Sequence, residues 1–367
     1  MNVRINDICE AIEQWAPRGL AYEWDKPGLS IGEPGAAVRK ILVCLTVTRE
    51  VYQTARKAQA NLVVSHHPFI FEPLKNLRSD DPHTRLCLDF VHAGIACYAA
   101  HTNLDVVPDG VSGVLANALE LLNPKPLFTV NHAAMLKLVT FVPESHLAYV
   151  RDAVSEAGAG IIGEYTHCSF STPGVGTFKP SSKANPFSGQ KGAVNEEPER
   201  RFETLVPKAR LAQVLKALIS AHPYEEVAYD LAPLENRDTT VSLGIKGTLK
   251  APMRLSAFAH MVKTALRLNH VRMAGTPKRQ VRTVAVLGGA GGSEVSRIPG
   301  DVDVYVTGDV KYHEAQAALL RGLAIIDAGH AGTEKGIVPV MASFLRSRFR
   351  GLPVAAYNEA ECFTVID

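Results

Sequence analysis

Two adjacent histidines, His66 and His67, follow the apolar run LVVS, and three more side chains able to bind a metal stand at comparable places further along. Neighbouring side chains on an extended segment point to opposite sides. An HH pair is therefore poorly placed to grip one ion and well placed to serve two, one on either side of the chain. HTNLD sets Asp105 just past another apolar run. GHAGTEKG sets His330 and Glu334 four apart, the spacing that puts two side chains on one helical face. Three imidazoles and two carboxylates form a nitrogen/oxygen set suited to Zn, Fe, Mn, Co or Ni rather than Ca or Mg. Asp105 and Glu334 are the bridging candidates, since a carboxylate can span two ions about 3.5–4 Å apart. An isolated HH pair more often has one packed and one solvated ring. The three further donors at strand ends favour a metal site, with two divalent transition-metal ions per chain on His66, His67, Asp105, His330 and Glu334.

His101, Asp309 and His313 stand close by in the sequence and are the candidates for moving protons or orienting ligands. Helix capping competes for Asp309. GGAGGSE follows an apolar run but lacks the third glycine of a dinucleotide loop, so close backbone approach to the site is the better use of its glycines. HPYEE, from His222 to Glu226, reads as a rim or turn. Lys179, Lys183 and Lys191 read as a solvated loop.

The elements that must position these groups alternate. Asn6 to Trp15 has a helical apolar face with Asn6 as its cap. ILVCLTV is a strand buried on both faces, Arg49 to Ala60 a helix, and Leu62 to Ser65 the strand that delivers His66. A helix from Thr84 to Ala93 leads to the strand IACYAA, which delivers His101, and GLAIID delivers His330. This rhythm predicts an α/β, doubly wound architecture, in which ligands gather beyond the carboxyl ends of the strands. VRKILVCLTV from Val38 aligns with VRTVAVLGGA from Val281, and NLVVSHH with DVYVTGD, which sets His67 opposite Asp309. Two lobes of one pseudo-repeat are expected.

The middle differs. Met135 to Pro143 is strand-like, Ser145 can cap a helix burying Leu147, Val150, Val154 and Ala157, and GEYTHCSF and GVGTF are strand-like. A polar loop from Lys179 to Glu199 precedes the strand RRFETLVP, a helix marked by Leu211, Val214, Leu215 and Leu218, and the strand VAYDLAPLE. That β-α-β-β-α-β order is the ferredoxin-like plan. A ferredoxin-like insert at 132–236 is thus expected to interrupt a domain made of 1–131 and 237–367.

A chain of 367 residues with 46% hydrophobic and 21% charged residues can bury ample core without disulfide or metal. Its 39 basic and 37 acidic residues leave a net charge of +2, which offers no basic stripe for nucleic acid. No apolar run reaches the ~18 residues of a membrane span, and the N-terminal stretch lacks a signal-peptide core. The six cysteines are scattered in apolar surroundings, as in a reduced, cytoplasmic protein.

SHHPFIF, HTNLD, TGDVKYHEA and GHAGTEKG, with the early WDKPGL, resemble the GTP cyclohydrolase I type 2 homologue family, also called NGG-interacting-factor-like proteins. The resemblance spans essentially the whole chain, in order. It implies that His66, His67, Asp105, His330 and Glu334 bind two metals, one for one with the family's ligands. It also implies that the middle segment, with GVGTFKP and AHPYEEVAYDLAPLEN, is a PII-like or CutA-like insert. Toroidal homohexamers with metal sites facing an internal cavity, and a cyclohydrolase-type reaction on a small molecule, are further implications. Relatives commonly read WDNxGL, where Lys26 stands here in the Asn position.

Overall fold

Short runs of aliphatic and β-branched residues become strands buried on both faces. In the computed structural model, which describes residues 3–130, 134–359 and 362–363, the first lobe contains β1 (Gly28–Ile31), β2 (Ile41–Cys44), β3 (Leu62–Ser65) and β4 (Ala96–Ala99). β2, β3 and β4 run parallel and are buried throughout, and β1 lies antiparallel on β4. Helices Arg49–Lys57 and Pro82–His92 make the crossovers. The Thr48 and Asp81 side chains cap them by accepting from Val51 N and Thr84 N. The second helix starts ahead of Thr84 because Pro82, with its fixed φ, suits the first turn. The N-terminal helix is Ile5–Trp15, and Asn6 lies inside it rather than capping it. Arg4 is the cap, its backbone N–H donating to Asp7 Oδ2 at 2.7 Å.

β5 (Leu122–Thr129) carries the chain toward the middle segment. There β6 (Ala134–Pro143), β7 (Ser169–Phe178), β8 (Asn195–Pro207) and β9 (Tyr229–Arg237) form an antiparallel sheet in the order β7-β8-β6-β9. Helices Leu147–Glu156 and Leu211–Ala221 complete a β-α-β-β-α-β sequence, burying Val150, Val154, Val214 and Leu218 with Leu138, Val142, Phe202 and Val206. Residues 131–239 form one compact unit, and residues 1–130 with 240–367 the other.

Several local expectations need correction here. β7 is a single strand beginning at Ser169, so 163–168 is not a strand: Ile162 and Tyr165 close a tight turn and His167 takes φ 58°. β8 begins at Asn195, which shortens the polar loop. Ser145 bonds the His146 ring instead of capping the helix. Arg237, expected to start the returning segment, is still in β9 and pairs with Ala134. The expected boundary between 131 and 132 lies outside the described residues.

β10 (Ser242–Arg254) pairs antiparallel with β5, Ser242 facing Thr129, so the chain re-enters this unit beside the point where it left. The second lobe adds β11 (Arg272–Ala274), β12 (Gln280–Val286), β13 (Val304–Thr307) and β14 (Ala324–Asp327). β12, β13 and β14 run parallel and β11 lies antiparallel on β14. The order β11-β14-β13-β12 repeats β1-β4-β3-β2 of the first lobe. The pseudo-repeat is thus present in the topology, with β3 and β13 at the positions the alignment pairs. β15 (Val354–Ala356) runs parallel to β2 and closes the first sheet.

Cys9, Cys44, Cys87 and Cys97 are buried and free, whereas Cys168 is half-buried and Cys362 exposed, unlike the apolar environments expected for all six. No helix among the described residues is long and apolar enough to cross a membrane.

Because β5 and β10 meet in register, replacing residues 131–239 with a short Gly/Ser linker should leave the remaining unit folded. Circular dichroism with a cooperative thermal melt tests this, and a deletion variant without a cooperative transition would overturn it.

Candidate metal centre

The carboxyl ends of β3, β4 and β14 deliver the expected donors to one place within the two-lobed unit. His66 is fully buried. Its Nδ1–H donates to the Ala100 carbonyl at 2.9 Å, which leaves Nε2 to face Asp105 Oδ1 at 3.5 Å and Glu334 Oε1 at 3.7 Å. His67 bonds Thr46 Oγ1 through Nδ1 (2.8 Å) and meets Glu334 Oε2 through Nε2 (2.9 Å). His330 bonds Asp309 Oδ2 through Nδ1 (2.7 Å) and lies 3.2 Å from Glu334 Oε2 through Nε2. In all three rings Nδ1 is held by an outer partner and Nε2 turns to the centre, the usual way to orient imidazole ligands. The two histidines do not diverge as an extended segment would make them. The chain bends after β3, and both rings turn toward Glu334 with centroids 5.0 Å apart.

Two overlapping groups could hold a metal ion: His66, His67 and His101, and His67, His330 and Glu334. His101, read as a proton carrier, thus sits among the ligand candidates, with its Nδ1 3.1 Å from Asp25 Oδ2. Asp105 belongs to neither group but faces His66. His66 Nε2 and Asp105 Oδ1 are buried without a hydrogen-bond partner. Unpaired buried polar atoms are costly, and a cation between them would satisfy both, so this donor set fits a metal.

Local sequence explains the placement. Gly329, at φ 75°, turns the chain from β14 into the short helix His330–Glu334, whose i, i+4 spacing sets both donors on one face. Gly289, in GGAGGSE, packs so tightly on the site that a Cβ would collide with Glu334 Oε1, and its N–H donates to Thr333 Oγ1 at 2.9 Å. Asp309 takes the left-handed region at φ 55°, which aims its carboxylate at His330. It does not cap the next helix, where Lys311 is the cap and Lys311 N donates to Glu314 at 2.8 Å. His313 is exposed against the Tyr312 ring and joins neither donor group.

Charge is balanced by protons when no cation is present. Burial lowers the basicity of His66, yet Asp105 and Glu334 outweigh it and lift His66 to about 9. Hydrogen bonding to Glu334, helped by Asp309, lifts His330 to about 9. Burial raises Asp105 to about 6 against the pull of His66. Glu334 is held well below the usual carboxylate range, its burial overcome by the three imidazoles that surround it. His67 is lowered by burial and by its charged neighbours.

The sequence profile of the Duf34/NIF3 (NGG1p interacting factor 3) family matches residues 3–361. The chain belongs to this family. Among Duf34/NIF3 relatives, the GTP cyclohydrolase 1 type 2 homolog of Bacillus subtilis is 42% identical over 330 residues, covering 90% of this chain and 88% of the relative. The Halalkalibacterium halodurans protein of the same name is 41% identical over 324 residues, covering 88% and 87%. A solved Bacillus cereus protein related to NIF3 superposes with TM-score 0.84 at 38% identity over 100% of both chains. Staphylococcus aureus protein SA1388 gives TM-score 0.72 at 26% identity over 99% of each.

Three supports of this Duf34/NIF3 site escape sequence reading. Asp25, in WDKPGL, reaches His101 and accepts from Thr102 N and Oγ1 at 3.1 and 2.6 Å. Its place within WDKPGL is the one sequence signal it gives. Lys26, the departure from WDNxGL, donates from Nζ to the Glu23 carbonyl at 2.8 Å and so closes its own turn. Thr46, which holds His67, and Glu359, which accepts from Leu45 N and Thr46 N at 2.7 Å each, give no local signal at all.

Metal content by elemental analysis should fall in His66→Ala and in Glu334→Gln, and unchanged content in both would remove these groups from the ligand set. Gly289→Ala should also lose metal and should lower stability by about 1–3 kcal/mol, from backbone strain and the displaced carboxylate. Since His66 and His330 carry protons below about pH 9, loading at pH 7.5 must release them, and affinity should rise with pH up to that value. Calorimetry in buffers of different ionisation enthalpy reads the release, and identical heats in all buffers would contradict it.

Proposed function

We propose that this chain is a metal-dependent hydrolase acting on a nucleotide or related small molecule, with two divalent transition-metal ions on His66, His67, Asp105, His330 and Glu334. One observation carries the reading: the donor set is sealed on the His66–Glu334 side, whereas His330 and Asp309 keep 39% and 54% of their side-chain surface exposed. A structural site would be closed on all sides, while an open side admits water and substrate. Two ions held there would supply Lewis-acid activation of water and charge for a developing oxyanion.

The chain's own groups have separate roles. Glu334, central to three imidazoles, fixes their spacing and their protonation. Asp309 orients His330 through Nδ1. Asp25 Oδ2 lies 3.1 Å from His101 Nδ1, and His101 is the group best placed to hold or pass a proton at its other nitrogen. The curated relatives' name makes GTP, opened at its imidazole ring by hydrolysis, the first substrate to try.

Likeness to the family further supports a homohexamer, a PII-like character for the middle unit and a cytoplasmic location. A second reading is a non-enzymatic, ligand-sensing protein. It draws support from an open pocket of about 740 Å³ on the middle unit, lined by Phe141, Phe178, Phe187, Tyr224 and Glu199.

Metal-loaded protein should hydrolyse a nucleotide or phosphoester, lose activity on chelation and regain it with a transition metal. Asp105→Asn should abolish turnover without changing circular dichroism, and Asp309→Asn should lower it roughly 10–100-fold through the loosened His330 ring. Turnover that survives Asp105→Asn unchanged would displace the hydrolase reading in favour of the sensor.

A further inference from the structure

Single exposed apolar side chains are ordinary, but adjacent ones mark a binding surface, and two exposed aromatic rings lie side by side at the donor cluster. Trp24 is 59% and Phe71 56% exposed. Their centroids are 5.9 Å apart, and both meet the His101 ring edge-on, at 6.1 and 6.4 Å. Tyr22 stacks behind Trp24, nearly parallel, at 5.8 Å.

The two rings are held from below. Tyr22 N donates to Thr102 Oγ1 at 3.1 Å, and that hydroxyl donates onward to Asp25 Oδ2. The residues on either side of Trp24 are thus pinned to the segment that carries His101. Phe71 stands two residues beyond Phe69, which is buried against Phe90 at 5.2 Å. One phenyl ring anchors the strand-end loop while the other stays in solvent.

We propose that Trp24 and Phe71, whose planes stand 60° apart, form a two-sided stacking platform: a planar heteroaromatic ring lies on the face of one and meets the other edge-on, which presents the attached group to the donor cluster. Base–aromatic stacking tolerates different bases because each has a π-face, so the pair sets ring chemistry rather than base identity. The choice rests on the hydrolase reading only for what happens next; binding is separable from it. A contact between copies of the chain is the competing use of such a surface.

The chain has two tryptophans, and Trp15 is packed on Phe344 at 4.9 Å, so Trp15→Phe leaves Trp24 as the sole indole reporter. Metal-loaded Trp15→Phe protein is titrated with guanosine, adenosine and cytidine monophosphates and with ribose 5-phosphate. Saturable quenching by the nucleotides and none by ribose 5-phosphate is the expected result. Phe71→Leu should weaken the nucleotide Kd roughly tenfold, with metal content unchanged, and Phe71→Tyr should restore it. Calorimetry on Trp24→Leu should show a similar loss, with Trp24→Tyr partly rescuing it.

The platform is overturned if ribose 5-phosphate binds as tightly as the nucleotides, if Phe71→Leu leaves Kd unchanged, or if no nucleotide quenches Trp24. It is also overturned if the variants change sedimentation and leave ring binding intact, which would make the pair a contact between copies. Quenching without turnover of any nucleotide would keep the platform and sink the hydrolase reading. Turnover of ring-free phosphoesters with kcat/KM unaffected by Trp24→Leu would do the reverse.

Discussion

A carboxylate taken out of water must find positive charge or hydrogen bonds, and Glu334 finds both in three imidazoles. Two of those rings come from the first lobe and one from its own helical turn. Much of the surrounding geometry follows from this demand. The chain bends after β3 so that both His66 and His67 face the carboxylate. Gly289 lacks a side chain where one would collide with it. Asp309 takes the left-handed conformation, which Asp tolerates better than most residues, and thereby steadies His330. Loss of Glu334 would leave imidazoles without their common partner, and loss of an imidazole would leave a buried anion short of compensation.

The repeated topology shows how such a site can be assembled from similar halves. β2, β3 and β4 and their counterparts β12, β13 and β14 end at equivalent places, yet the residues set there differ. His67 in one lobe corresponds to Asp309 in the other, one facing Glu334 directly and the other acting through a neighbouring ring. A duplicated scaffold gives matching positions; the chemistry arises where the two copies have diverged.

Much of this was legible in the sequence, for physical reasons. Strands buried on both faces must be continuously apolar, so LVVS, VYVT and AIID announce themselves, and donors just past them fall at the carboxyl ends where sites gather. The i, i+4 pair His330 and Glu334 is equally local. Opposite pointing of His66 and His67 failed because the extended geometry it presumes ends at Ser65. His313 looked eligible because it follows a strand end, and it stands exposed at the start of its helix, apart from the donor groups. Glu359 was invisible, since a carboxylate bonding Leu45 N and Thr46 N from near the other end of the chain leaves no periodic trace. Turn chemistry around Tyr165 and His167 likewise outweighed a strand-like composition.

The pairing of Ser242 with Thr129 also bears on how the chain closes on itself. Closing a loop costs entropy that grows only with the logarithm of its length, so a long excursion between β5 and β10 is little harder to close than a short one. An excursion that then folds on itself removes even that modest dependence, because its ends are brought together by its own sheet: Ala134 and Arg237 are partners within it. For the β5–β10 ladder, more than a hundred residues act as a turn. Such a turn can gain, lose or reshape its contents without shifting the register of the two strands it joins.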